Sequence, residues 1–586
     1  MAEQQIRMAE EMLFSGKRLP SFAKGLFFGL IDAERLFPFP HPEAEEHTRA
    51  ETMVSELKTF CDAHLDPAAI DRNAEIPKEV IDGLGRLGVF GCTVPKEYGG
   101  EGLTQHTYCR LVEELSRRCG ATALFTNVQQ SIGLKSLLLF GTEEQKKKWL
   151  PPLSKAEAYA AFALTEPNAG SDAAGVQTRA VHDPDRNIYV INGEKQWITN
   201  GSIAQMLTVM AQTEVDTPRG KEDRITAFLV TPDMPGFRVT TRALEKVGHR
   251  GSITAKLAFE NMEVPAENII GPKGSGLRVA LTVLDFGRTT FGAMCTGSAK
   301  ELVERAIAHA QTREQFGRPI AGFELVKEKI ATMSALVYAM ESVTYLTAGL
   351  LDKGEEDFML ETAMIKVFTS EAQWRIQFDT MQILGGRSLF TDAPYERMMR
   401  DARLNMIGEG SNDVLRVFIA AVGLRDVGMQ LKDVQDAAKN PLTGMGAILG
   451  FGKKSLEKVL HNPAVPVDAP ELAAEGAQLA ASVRKFGMTN QRMLMKHREG
   501  IVEKQMVLNR LSTAGMALYT VSAVLSRMDT ALADRKGQTG SLETDVVRGK
   551  LYCKMAFADF DQAMTGLQDN FDDDIVDVAK RLTGIE

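Results

Sequence analysis

The feature that most constrains this chain is a change of hydrophobic period, from helical to strand-like and back. Up to about residue 160, apolar positions recur every three or four residues, as in Glu51 to His64 and Glu79 to Leu87. The paired glycines of Pro95-Lys96-Glu97-Tyr98-Gly99-Gly100 mark a loop. A charged helix is predicted from Thr142 to Leu150, ended by Pro151-Pro152. From about 161 to 275 the runs are short and rich in strand formers: Tyr189-Val190-Ile191, Met206 to Ala211, Ile225 to Val230 and Lys256 to Phe259. Asn192-Gly193, Pro232 and Pro235-Gly236 separate them. From about 276 to 424 the helical period returns. Leu302, Val303, Ala306, Ile307 and Ala310 form one apolar face, and Ile330, Met333, Val337 and Met340 another. Further on, Asn440-Pro441 and Pro463 to Pro470 mark loops, while Glu471 to Arg498 and Ile501 to Arg527 read as long helices.

At 586 residues the chain exceeds what one core can organise, so several domains are expected. The fold class is α+β, mainly α. An N-terminal helical domain (1–160) precedes a small antiparallel β domain, barrel or sandwich (161–275), and a helical bundle (276–424). A linker (425–470) and an extra C-terminal helical region (471–586) follow.

The net charge of −9 argues against a general nucleic-acid binder, which needs a basic face. Six scattered cysteines without a Cys-x-x-Cys pair fit a reducing compartment and no disulfide framework. The nine histidines show no metal-ligand spacing, so no metal is expected. The start, MAEQQIRMAEEMLF, lacks a basic segment followed by an apolar core, and no run of about 18 apolar residues suggests a spanning helix. The chain reads as bacterial and cytoplasmic, or peripheral at the inner membrane; for a processed eukaryotic protein the mitochondrial matrix is the alternative.

Five short motifs carry the chemistry. Phe162 to Ser171 read FALTEPNAGS, completed by Asp172. Then come Gln196-Trp197-Ile198-Thr199-Asn200-Gly201, Arg313-Glu314-Gln315-Phe316-Gly317, Gln382-Ile383-Leu384-Gly385-Gly386 and Glu409-Gly410-Ser411-Asn412-Asp413. Taken alone, each has a bland reading. Glu409 is then a solvated loop carboxylate, Trp197 a core side chain, Asn168 to Ser171 a turn, Arg313 a solvated helix end, and Asp285 with Arg288 a surface i,i+3 ion pair.

In this order and at these separations, the five resemble the flavin-dependent acyl-CoA dehydrogenases, and most closely the very-long-chain type with its extra C-terminal helical region. Ser21-Phe22-Ala23 and Phe37-Pro38-Phe39-Pro40 extend the likeness to the N-terminus. The resemblance implies α,β-dehydrogenation of a long-chain fatty acyl-CoA, with FAD as cofactor and electron-transfer flavoprotein as electron acceptor. It implies Glu409 as the base for the α-proton, with its backbone N–H helping to hold the thioester carbonyl. FAD contacts are expected from Phe162, Leu164, Thr165, Gly170, Ser171, Trp197, Ile198 and Thr199. Arg313, Gln315 and Phe316 would reach FAD from a neighbouring subunit. Gln382, Leu384, Gly385 and Gly386 would close around its adenosine half, with Ser411 and Asp413 also contributing. Substrate contacts fall to Ser171, Asp285, Arg288, Glu409 and Gly410.

The extra helical region implies a homodimer, since it would cover the face that shorter members use to build tetramers. The segment 439–458, an apolar stretch with Lys453, Lys454 and Lys458, resembles a membrane-contacting loop; a linker with a buried apolar strip is the other reading. An acyl-CoA oxidase or an assembly scaffold on the same fold are the competing functions. The chain departs from the family pattern at Gly408, where an aromatic is usual, at Ser411 for threonine, and at Ser388 for a glycine.

Overall fold

A computed structural model describes residues 21–439, 461–534 and 540–585. The proposed membrane-contacting segment therefore lies almost wholly outside the described residues. The first helices are α1 (Phe22–Phe27), α2 (Ala44–His64), α3 (Pro67–Asn73), α4 (Lys78–Arg86), α5 (Gln105–Arg118), α6 (Gly120–Asn127), α7 (Lys135–Phe140) and α8 (Glu143–Ser154). Thr142 and Gln145 form a reciprocal capping box that starts α8 where the sequence predicts. Pro151 and Pro152 do not end it. They sit within the helix, and Lys147 and Lys148, whose carbonyls they deprive of partners, are exposed to water.

The β domain is one sheet of β1 (Ala160–Ala163), β2 (Arg179–Asp183), β3 (Ile188–Thr199), β4 (Met206–Thr217), β5 (Gly220–Val230), β6 (Phe237–Thr241), β7 (Thr254–Pro265) and β8 (Ile269–Ile270). Its order is β6-β7-β3-β2-β4-β5-β8. Most pairs are antiparallel, but β1 and β2 each run parallel to β4. The predicted strands are all longer than their apolar runs, because polar residues continue the ladder beyond the covered face. One face packs on Leu134, Leu150 and Leu153 and on the start of the next helix; the other buries Tyr189, Phe228 and Phe259.

The bundle follows as α9 (Gly276–Thr312), the hairpin β9 (Glu314–Gln315) and β10 (Arg318–Pro319), α10 (Glu324–Asp352), α11 (Met359–Leu384), α12 (Tyr395–Asn405) and α13 (Asn412–Lys439). α13 runs past residue 424 without a break. The extra region comprises α14 (Ala473–His497), α15 (Gln505–Ala533), α16 (Gly540–Gly566) and α17 (Asp572–Thr583).

Residues 21–40 pack with helices far along the chain. The Phe22 ring lies 6.1 Å from Tyr519 and the Phe27 ring 4.9 Å from Phe486. Asn490 Nδ2 donates to the Phe27 carbonyl, Phe39 N–H to Thr530 Oγ1, and Ser526 Oγ to the Leu36 carbonyl. Gly29 and Gly487 approach so closely that a Cβ on Gly487 would lie 2.5 Å from Gly29 Cα. The first and last described parts of the chain thus share a core with α10, α11 and α13. Among the described residues no helix is long and apolar enough to cross a membrane. All six cysteines are buried and unpaired.

Candidate active site

The turn between α12 and α13 carries Glu409. It is closed by Gly408 N–H to the Leu404 carbonyl and Asn412 N–H to the Met406 carbonyl. Glu409 has φ +58° and Gly410 φ +99°. A left-handed glutamate is a strained choice that surrounding structure must hold in place. Its carbonyl accepts from Arg288 Nε at 3.4 Å, and the Gly410 carbonyl accepts from Lys366 Nζ at 2.7 Å. Lys366 also donates to Asn412 Oδ1 at 2.8 Å. Two buried cations, from α9 and α11, therefore grip consecutive carbonyls of the turn.

Glu409 as a residue is half-buried, but its carboxyl end is enclosed. Oε1 accepts from Asn127 Nδ2 at 3.0 Å, whereas the buried Oε2 has no hydrogen-bond partner. A Cβ on Gly287 would lie 2.8 Å from Oε2 and 2.9 Å from Ile132 Cγ2, so glycine is what leaves the carboxyl room. Burial pushes the Glu409 pKa up to about 7, against the pull of Arg288, Lys366 and the Asn127 amide.

Asp285 and Arg288 do form an i,i+3 pair at 3.0 Å, but a buried one, not the surface pair that is their bland reading. Thr362 Oγ1 also donates to Asp285, and burial raises the Asp285 pKa to about 6. The pair stands behind the Glu409 turn. Gly408 is half-buried and open on one side: an added Cβ would touch only Leu404, at 3.7 Å.

Asn127 ends α6, and residues Val128–Gly133 continue as a π-helical turn. Such turns are rare and cluster at functional sites. This one joins Asn127, the partner of Glu409, to the β domain. Ser131 Oγ bonds Thr290 Oγ1 of α9 at 2.7 Å, while Gln129 accepts from the Ala160 N–H and donates to the Ala158 carbonyl. A Cβ on Gly133 would lie 2.7 Å from Ala160 Cβ, so the turn packs directly on β1.

β1 leads into the second half of the site. Phe162 is buried, Leu164 and Thr165 are half-buried, and Gly170 and Ser171 are exposed; nothing in the chain lies within 4 Å of a Cβ on Gly170. The strip is tied to β3 by Gln196 N–H to the Thr165 carbonyl and by a buried ion pair, Lys195 Nζ to Glu166 Oε1 at 2.7 Å. Lys195 also donates to the Leu164 carbonyl, and Glu166 accepts from the Gln177 and Thr178 N–H groups. The β3–β7 register shifts between Lys195 and Ile198. At that bulge Trp197 takes φ +59° and stands 62% exposed, whereas Ile198 points into the sheet core. Trp197 is thus not a core tryptophan. Thr199 is half-buried on the same strand.

The other predicted residues lie on the surface of the bundle. Arg313 and Gln315 are exposed, and Phe316, with φ +53°, is 93% exposed at the tip of the β9–β10 hairpin. Gln382, Gly385 and Gly386 are exposed and Leu384 is buried; a Cβ on either glycine would meet nothing within 4 Å. Ser388 fits inside this loop, its hydroxyl donating to the Gly385 and Met381 carbonyls. Ser411 is half-buried and Asp413 exposed. The exposed indole, the open glycines and the free-standing Arg313 side chain fit a large planar group with a pyrophosphate, as FAD is.

Sequence reasoning missed Asn127, Ile132, Lys195, Glu166, Gly287 and Lys366. Only Glu166 lay inside a motif singled out, with Gly287 between Asp285 and Arg288, and no spacing links Asn127 to a glutamate 282 residues away.

Comparison with known proteins agrees with this architecture. Residues 47–157, 161–262 and 274–424 match the acyl-CoA dehydrogenase N-terminal, middle and C-terminal domains, and 470–583 match the ACAD9/ACADV C-terminal domain. The human mitochondrial very long-chain specific acyl-CoA dehydrogenase is 38% identical over 88% of this chain and 79% of its own. The probable acyl-CoA dehydrogenase FadE10 of Mycobacterium tuberculosis is 33% identical over 98% of this chain and 90% of its own. A crystal structure of an acyl-CoA dehydrogenase complexed with FAD from Bacillus anthracis superposes with a TM-score of 0.78, at 28% identity over 95% of each chain. With motifs, fold and extra helical region in agreement, the chain belongs to the acyl-CoA dehydrogenases, FAD-dependent oxidoreductases.

Proposed function

We propose that this enzyme converts long-chain fatty acyl-CoA to trans-2-enoyl-CoA, with Glu409 taking the α-proton, and passes the electrons to an electron-transfer flavoprotein. Bound FAD supplies the acceptor of the β-hydride. The observation that carries the reading is the enclosed, unpartnered Oε2 on a carboxyl whose pKa burial raises to about 7. A base must be ionised at the working pH yet ready to hold a proton, and that value meets both needs. Gly408 and Asn412 spend their N–H groups on closing the turn, which leaves the Glu409 N–H to the thioester carbonyl. Trp197 and Thr199 would face the isoalloxazine, and Thr165, Gly170 and Ser171 the pyrimidine, pyrophosphate and pantetheine.

Completion of the site from a second subunit is supported by the exposed Arg313, Gln315 and Phe316 and by the exposed Leu325, Phe378, Leu389 and Phe390 on the same part of the bundle. Lys329 and Arg375, both bound to Asp379, bring the start of α10 beside this part of α11. An exposed apolar patch of this kind suits a subunit interface. We expect a homodimer by light scattering; a monomer retaining bound FAD would refute the shared site.

Glu409→Gln tests the base. It is near-isosteric and removes only proton acceptance. Binding of FAD and acyl-CoA should persist, while turnover falls by about 100- to 10,000-fold, the usual contribution of a general base. Substrate bleaching of the flavin absorbance at the wild-type rate would place the base elsewhere.

A further inference from the structure

Asn127 is fully buried, and its two amide ends are treated unequally. Nδ2 donates to Glu409 Oε1 at 3.0 Å, whereas Oδ1 is enclosed without a partner. Glu409 Oε2 is likewise enclosed without a partner. An ionised carboxylate only accepts hydrogen bonds; a carboxylic acid adds one O–H donor. A buried acceptor left unpaired is costly, and a proton on the Glu409 carboxyl gives Asn127 Oδ1 a donor to accept from.

We propose that Asn127 is a positioning residue serving both protonation states of the base: its amide N–H holds the carboxylate before abstraction, and its Oδ1 accepts from the acid O–H afterwards. This rests on the reading of Glu409 as the base. The step moves one proton, from substrate Cα to a Glu409 oxygen, and exchanges one Asn127 hydrogen bond for another by rotation of the terminal amide. That torsion is broad and soft.

The surroundings suit the role. Asn127 immediately precedes the π-helical turn, which Ser131 and Gln129 anchor to α9 and β1, so the amide is presented from a fixed platform. The charged groups facing Glu409 are Arg288 of α9 and Lys366 of α11. Tyr108 of α5 and Cys295 of α9 also sense it, but burial raises both so far that they stay protonated through the working range. The Asn127 amide already holds the Glu409 carboxyl below where burial alone would put it. Removing the amide should therefore raise the pH at which the base ionises.

The test is the pH profile of kcat/KM for the FAD-loaded enzyme with palmitoyl-CoA as probe, comparing wild type, Asn127→Leu and Asn127→Asp. Asn127→Leu removes both bonds; because the charge-assisted one is about twice as strong as the neutral one, the midpoint should still shift upward, by about one pH unit. Neutral-pH activity should fall about fivefold and recover as pH rises. Asn127→Asp, equal in size, places a second carboxyl beside the first. It should split the profile into two steps with the upper one raised, since neighbouring carboxyls share a proton. It also carries the test if the leucine variant fails to fold. A single step at the wild-type midpoint in the aspartate variant, or in a folded leucine variant, overturns the inference. Glu409→Gln, measured alongside, separates the two claims. If it abstracts the proton normally, the base reading falls and this inference with it. If it is inactive while the Asn127 variants keep the wild-type midpoint, only this inference falls.

Discussion

The two halves of the active site are built by opposite means. The strip from Phe162 to Ser171, with Trp197 beside it, turns outward: an exposed indole on a bulge, open glycines and a strained backbone fixed from behind by the buried Lys195–Glu166 pair. The pocket of Glu409 turns inward. Its carboxyl is enclosed, its backbone is held by Arg288 and Lys366, and Gly287 is cut back to make room. The contrast follows from what each half must hold. A cofactor the size of FAD needs a wide, preformed surface, and interior polar groups serve to fix its shape. A proton needs no space, but its acceptor needs removal from water.

This comparison can be broken from either side. The largest effect is expected at the outward half. Lys195→Met leaves Glu166 buried without its counter-charge, which costs about 3–5 kcal/mol. The strip should loosen, and the purified variant should lose most of its FAD. A variant with the wild-type ratio of FAD to protein would show that the strip does not depend on the pair behind it.

At the inward half, the raised pKa gives a sign. In the proposed reaction Glu409 acts only when ionised, and its pKa lies near 7 instead of near 4.5. As pH falls below 7, kcat/KM should drop about tenfold per unit; above 7 it should level off. A profile flat down to pH 5 would mean that the carboxyl is not desolvated in the working enzyme.

The smallest effect sharpens the geometry. In Gly287→Ala the added methyl would approach Oε2 to 2.8 Å, but that oxygen ends a flexible side chain and can retreat by a few tenths of an ångström. Turnover should fall by about tenfold from misplacement of the base, with FAD content unchanged. Unchanged kinetics would place the reactive position of Glu409 away from Gly287.

The α–β–α order was legible because a change of hydrophobic period is a local signal, carried by neighbours such as Leu302, Val303 and Ala306. The outward half of the candidate site could be proposed for a related reason: Trp197 and Leu164 to Asp172 lie in short contiguous runs that carry the family resemblance. What could not be read is whatever depends on pairing across the fold. Asn127 meets Glu409 only across the fold, where α6 reaches the α12–α13 loop, and nothing in VQQSIG announces the π turn that follows it. Lys195 reads as an ordinary alternating strand residue until the sheet buries it. Pro151-Pro152 misled because a proline's local rule was taken as a stop, although water can serve the carbonyls it abandons.

The packing of residues 21–40 against α14 and α15 sets the order of assembly. Phe22, Phe27 and Phe39 are made hundreds of residues before their partners Tyr519, Phe486 and Thr530. Residues 21–40 meet α10, α11 and α13 before α14 and α15 exist, so their core is completed only late in synthesis. Such long-range closure is slow, and apolar surface left uncovered meanwhile is prone to capture by other chains. The extra helical region is in this sense not an appendage added to a finished enzyme; it is the piece that completes the core around residues 21–40.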